Sequence, residues 1–151
     1  MKETTLCYIE NDERYLMLHR IKKEEDANRG KWIGVGGKLE KGEGPAECIQ
    51  REIKEETALE IADLKYRGKV SFVSDIYEDE IMHLFTAKAQ SEIFSPCSEG
   101  ELKWIAKKDI LSLNLWEGDR VFLEYLLEDK KEFFNLSLIY QGEKLKRVVE
   151  E

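Results

Sequence analysis

Residues 3–10 and 14–20 carry enough apolar positions to read as two strands. In the second, Tyr15, Met17 and His19 share one face while Leu16 and Leu18 share the other. Asn11-Asp12 between them is turn chemistry. Residues 21–30 are polar and read as a loop. From Pro45 to Thr57 the spacing becomes helical: Ala46, Ile49 and Ile53 form a core-facing stripe, and Pro45 suits the first turn, where its missing N–H costs little. Residues 59–90 are β-rich, with KVSFVSDIY and IMHLFTAKA as the strand-like stretches. A short strand is predicted around Leu102–Ile105 and a short helix over KKDILSL. EGDRVFLEYLLEDK places Val121, Phe122, Tyr125 and Leu126 at helical spacing. FFNLSLIY alternates as a strand, Gln141-Gly142 turns the chain, and KLKRVV closes it. Strands on both sides of a helix, followed by a second helix and a hairpin, predict an α/β or α+β fold; periodicity leaves the sheet order open.

With 151 residues, 42% hydrophobic and 37% charged, the composition is that of one globular domain spanning 1–151. Lys+Arg total 24 against 32 Asp+Glu, a net charge of −8, which disfavours a grip on long nucleic acid but not on one nucleotide held through a metal ion. No apolar run is long enough to span a bilayer, and MKETTLCYIEND lacks the order of a signal peptide. Cys7, Cys48 and Cys97 are odd in number and widely spaced, so reduced thiols in a cytoplasm are expected rather than a disulfide framework or zinc site. No obligate protein partner is evident.

The chemistry concentrates in residues 37–59. At about 100° per residue, Glu52, Glu55 and Glu56 occupy one sector of the predicted helix, beside its apolar stripe. A solvated face normally interleaves Lys with Glu, whereas Glu52 and Glu56 are a like-charge i,i+4 pair. Partial burial worsens that repulsion, and a divalent cation reverses it; oxygen ligands suit Mg²⁺ or Mn²⁺. Arg51 is placed to pair with Glu55 and orient it. Ahead of the helix, Gly34, Gly36, Gly37, Gly42 and Gly44 suggest tight turns and close backbone approach to a ligand.

This segment resembles the signature of the Nudix hydrolases: a Gly, then Glu after five residues, then Arg-Glu-U-x-Glu-Glu-x-Gly-U after seven more, with U a bulky aliphatic. Gly37, Glu43, Arg51, Glu52, Ile53, Glu55, Glu56 and Leu59 match in register. Ala58 stands where the signature has its last Gly, which puts the helix exit in question but not the carboxylates one turn earlier. GKWIGVGGKLEKGE, EGELKW and residues 115–134 extend the likeness to MutT-type enzymes, most of all to the MutX-type and animal 8-oxo-dGTP-cleaving branch. The resemblance implies an α/β/α sandwich around a mixed sheet and Mg²⁺-dependent cleavage of a nucleoside triphosphate to monophosphate and pyrophosphate. By position it implies Glu52, Glu55 and Glu56 as metal ligands together with the Gly36 carbonyl, and Glu99 as a further carboxylate, metal ligand or general base. It also implies Trp116 and Asp119 as the residues that stack on and hydrogen-bond to a base. Glu55 or Glu56, with Glu99 as alternative, would take the proton of the attacking water.

Other readings weigh against these assignments. Glu99 is equally an exposed loop residue, and Arg20 reads first as a solvated arginine and second as a phosphate contact. Trp116 and Asp119 alternatively pack and cap a helix start. Trp32, Trp104, His19 and His83 read as structural, and Cys48 as a small buried hydrophobe. Animal relatives carry an asparagine where Ile33 stands, so an Ile33 facing the base weakens the donor pattern for an oxidised purine. ADP-ribose, a dinucleotide polyphosphate, or a nucleotide-binding sensor without catalysis are the competing functions. A metal-buffering acidic domain explains neither the glycines nor the ordered Arg-Glu spacing.

Overall fold

The computed structural model describes residues 1–129 and 132–151. The chain runs β1 (Lys2–Asn11), β2 (Arg14–His19), β3 (Trp32–Ile33), α1 (Pro45–Thr57), β4 (Ile61–Val73), β5 (Glu80–Ala89), β6 (Glu101–Ala106), a 3₁₀ helix (Lys107–Ser112), α2 (Glu117–Leu127), β7 (Phe134–Gln141) and β8 (Lys144–Glu150). The sheet order is β3-β2-β1-β5-β4-β7-β8, with β6 also paired to β2. β1 with β5 and β4 with β7 are parallel, and the other strand pairs are antiparallel.

Helices cover both faces, so the inner strands are apolar on both sides rather than alternating. Along β1, Leu6 and Tyr8 join the core under α2, with Phe122, Leu123 and Leu126. Cys7 and Ile9 join the core under α1, with Ile49, Ile53 and Phe85. The predicted split of β2 holds: Tyr15 and Met17 lie in the first core and Leu16 in the second.

Several boundaries differ from the expectation. The buried stripe of α1 is Cys48, Ile49, Ile53 and Thr57, while Ala46, in the first turn, is exposed. The stripe of α2 centres on Phe122, Leu123 and Leu126, with Val121 and Tyr125 at its margins. That helix ends at Leu127, and Lys130, the last residue of the expected span, lies outside the described residues. KVSFVSDIY leaves the sheet at Val73, where the Ser74 hydroxyl accepts from the Ile76 and Tyr77 N–H groups and turns the chain. The two-residue β3 escapes any periodicity. Trp32 stacks on His19 at 4.3 Å, and the Trp104 indole N–H donates to the Glu92 carbonyl, so both indoles are sheet residues.

Ala58 keeps the left-handed conformation of the glycine it replaces, at φ 60° and ψ 11°, and its N–H donates to the Lys54 carbonyl. A Cβ there is strained. Ala58→Gly is therefore expected to stabilise the fold by about 0.5–1 kcal/mol after allowing for glycine's extra chain entropy, a rise in Tm of roughly 1–4 °C. Thermal melts check this, and an unchanged or lower Tm would show that the turn is relaxed.

Candidate active site

The segment before α1 is tied to the N-terminal half of β1. Thr5 and Cys7 N–H groups donate to the Gly37 and Val35 carbonyls, and Leu39 N–H to the Glu3 carbonyl. Because backbone groups alternate along an extended segment, the Gly36 N–H and carbonyl turn the other way, and its N–H reaches the Glu56 carboxylate. A Cβ on Gly36 would lie 2.0 Å from the Thr5 carbonyl oxygen, and one on Gly37 would lie 2.5 Å from Glu52 Cδ. Only glycine permits these approaches, of Gly36 to the β1 backbone and of Gly37 to the acidic helix.

Arg51 organises the carboxylates. Its Nε and Nη2 form a fork on Glu43, at 2.6 and 2.9 Å, while Nη1 donates to Glu52 at 2.9 Å and to Glu55 at 3.2 Å. This Arg51 fork, with the Glu40 N–H, lowers the Glu43 carboxyl to about 2, so Glu43 stays ionised and fixes the arginine. Arg51 Nη2 also donates to the Lys38 carbonyl. The expected Arg51–Glu55 pair is present, but Glu55 remains 60% exposed. Cys48 is fully buried and contacts the Thr5 hydroxyl at 3.3 Å.

Glu56 is the odd member of the cluster. It has no arginine partner among the described residues, and its Oε2 is buried without a hydrogen-bond partner. Burial first, then the nearby Glu52 and Glu99 charges, raise its carboxyl to about 8, against the Gly36 N–H and Arg20. Glu99 thus shares the neighbourhood of Glu56, held by Arg20 at 3.2 Å and Lys23 at 3.6 Å. Arg20 is not a solvated side chain: it is 15% exposed and also pairs with Asp26 at 2.7 Å. Among the described residues, no three His, Cys, Asp or Glu side chains already form a metal-binding group. Arg51 draws Glu52 and Glu55 toward itself, which relieves their mutual repulsion. The orphaned Glu56 oxygen and the glycine-made approach nevertheless provide hard oxygen donors of the kind a divalent cation takes.

A cleft of about 390 Å³ runs from these glycines across the sheet. Its lining includes Thr5, Arg20, Gly36, Gly37 and Lys38, together with Ile33, Phe72, Met82, Trp116, Asp119 and Tyr140. Trp116 precedes α2, donates its indole N–H to Asn28 at 2.8 Å, and carries the Lys31 ammonium 5.0 Å over its ring. Asp119 makes no cap for α2, which starts without a side-chain capping bond. It is 5% exposed, and burial together with the Glu80 charge raises its carboxyl to about 7, with Lys31 opposing. Ile33 does line the cleft. Phe72, Met82, Glu80, Asn28 and Tyr140 also line it, and no sequence signal singles them out; they come from β4, β5, β7 and the loop before β3, and the alternating FFNLSLIY pattern marks Tyr140 only as a strand residue.

The NUDIX domain family model matches residues 2–126. The chain is 30% identical over 111 residues to a mouse protein named oxidized purine nucleoside triphosphate hydrolase, covering 72% of this chain and 70% of that one. It is 28% identical over 133 residues to the Nudix hydrolase YvcI of Bacillus subtilis, covering 85% of this chain and 80% of that one. A crystal structure of a mutator MutT protein from Bacillus halodurans superposes with a TM-score of 0.87 at 24% identity, covering 100% and 98% of the two chains. The α/β/α sandwich described above is thus the Nudix fold.

Proposed function

The chain belongs to the Nudix family of hydrolases acting on phosphoric anhydrides, and from that premise we propose that it cleaves a nucleoside triphosphate to monophosphate and pyrophosphate with Mg²⁺, its preferred substrates being oxidised purine nucleotides such as 8-oxo-dGTP. The observation that carries this reading is the single cleft joining the Gly36–Gly37 turn to Trp116 and Asp119. An anhydride placed at the glycines and acidic helix leaves a base at the indole and buried carboxyl. The mouse relative's name, oxidized purine nucleoside triphosphate hydrolase, supports the choice of substrate.

Glu52, Glu55, Glu56 and the Gly36 carbonyl are the groups that would hold the cation, Mg²⁺ or Mn²⁺. When bound, it neutralises phosphate oxygens and lowers the pKa of an attacking water. Glu55 or Glu56, with Glu99 as the alternative, would take the proton of the attacking water; Glu56, which burial keeps protonated in the metal-free chain, would serve only once the cation's charge had displaced its own proton. Arg51 fixes the orientation of Glu52 and Glu55 from behind. Arg20 lines the cleft. Trp116 offers a π face and Asp119 a hydrogen-bonding edge to the base.

A panel of nucleotides with Mg²⁺, products identified by mass, tests the proposal. 8-Oxo-dGTP is expected to show the highest kcat/KM. Preference for ADP-ribose or a dinucleotide polyphosphate would move the assignment within the family, and tight nucleotide binding with no turnover would make the chain a sensor.

A further inference from the structure

Tyr140, on β7, is more than nine-tenths buried and is one of the residues lining the cleft. Its hydroxyl oxygen accepts the Gly118 N–H at 2.6 Å. Position 118 must be glycine for this contact, because a Cβ there would lie 2.7 Å from the Tyr140 hydroxyl and 2.7 Å from Leu138 Cδ1. The Trp116 indole meets the Tyr140 ring edge-on at 5.8 Å and fixes its plane. The phenol is thus held by its ring and its oxygen lone pair, and among the described residues no acceptor takes its proton. Burial raises the hydroxyl well above the ordinary tyrosine range, so it is a donor throughout the neutral range. Asp119 follows Gly118 directly and presents a carboxyl to the same cleft.

Resting on the nucleoside triphosphate reading above, we propose that Tyr140 is a specificity-determining residue whose hydroxyl donates to the C6 carbonyl of a 6-oxopurine, with that base's N–H groups facing Asp119. A guanine-type edge sets one acceptor, the C6 oxygen, beside adjacent N–H donors at N1 and the 2-amino group. A fixed hydroxyl donor next to a carboxyl matches that order. Ile33, which lines the same cleft, offers no polar group.

Calorimetric binding of three metal-free ligands to the wild-type chain and to Tyr140→Phe tests this: GMP, the 2-aminopurine ribonucleotide, which lacks both the C6 oxygen and the N1–H, and ribose 5-phosphate, which lacks the base. The wild type is expected to bind GMP at least about tenfold more tightly than the 2-aminopurine nucleotide, since the Tyr140 contact and one Asp119 contact are both lost. Tyr140→Phe should weaken GMP about tenfold and leave the other two within twofold. With dGTP and Mg²⁺ the variant should raise KM by a similar factor at near-constant kcat. Equal weakening of all three ligands, or no weakening of GMP, would overturn the role of Tyr140 while leaving the nucleotide reading intact. Wild-type binding of GMP no tighter than of ribose 5-phosphate would instead reject the base-binding cleft, and the inference with it. Should the phenylalanine variant not fold, 6-thioguanosine monophosphate decides, because it keeps N1–H and the 2-amino group but has a weakly accepting sulfur at C6: the wild type should bind it about tenfold more weakly than GMP, equal affinities being the contradicting result.

Discussion

Glu56→Gln is expected to lower turnover by about 10²–10⁴-fold at saturating Mg²⁺, the span usual for a positioned acid–base or ligand group. The substitution keeps side-chain size and an acceptor for the Gly36 N–H, but removes the charge. Its effect on the metal-free fold has the opposite sign. The Glu56 carboxyl titrates at about 8 in the folded chain against an ordinary 4.5. Between those values the folded state holds a proton that the unfolded state has lost, so stability falls as pH rises through that window. The loss is on the order of a few kcal/mol by pH 8, because each pH step of one across the window costs about 1.4 kcal/mol. Glu56→Gln removes this penalty, so the metal-free variant should melt at a higher temperature than the wild type at pH 8 and approach it near pH 4.5. Near-native turnover of both Glu56→Gln and Glu52→Gln would mean that the acidic helix is not the hydrolytic site.

Asp119→Ala should change the ratio of kcat/KM for 8-oxo-dGTP and dGTP by about tenfold or more, since a base-edge contact is worth roughly 1–3 kcal/mol in discrimination. Its Mg²⁺ dependence should match the wild type, because Asp119 is not among the groups that would hold the cation. The carboxyl titrates at about 7. Below that value it donates as an acid, and above it accepts as a carboxylate. The wild-type ratio should therefore differ between pH 6 and pH 8, and the variant's should not. A purely structural Asp119 predicts a lower Tm with the ratio and its pH profile unchanged.

The acidic helix is legible because its signals are local. Pro45 marks its start, and Arg51, Glu52, Glu55 and Glu56 lie within two turns. The left-handed Ala58 is equally legible, since one residue in the pattern is displaced from glycine. Ala46 is different: helical spacing gives direction around an axis but not how far along it burial extends. The burial of Asp119 is also out of reach of the sequence, because a first-turn aspartate ordinarily faces solvent and favours the helix dipole. What buries it is the cleft, whose walls include Leu6 from β1, Phe72 from β4, Met82 from β5 and Tyr140 from β7. Those residues meet through the parallel pairings of β1 with β5 and β4 with β7 and the antiparallel pairing of β5 with β4, a strand order that periodicity does not encode.

The central claim is hydrolysis of a nucleoside triphosphate within its phosphate chain to leave pyrophosphate. Turnover of 8-oxo-dGTP by the wild-type chain with Mg²⁺ in ¹⁸O-labelled water, with products resolved by mass, tests it most directly. The account predicts 8-oxo-dGMP and pyrophosphate, one of them carrying the label; labelled orthophosphate released with a nucleoside diphosphate would contradict it.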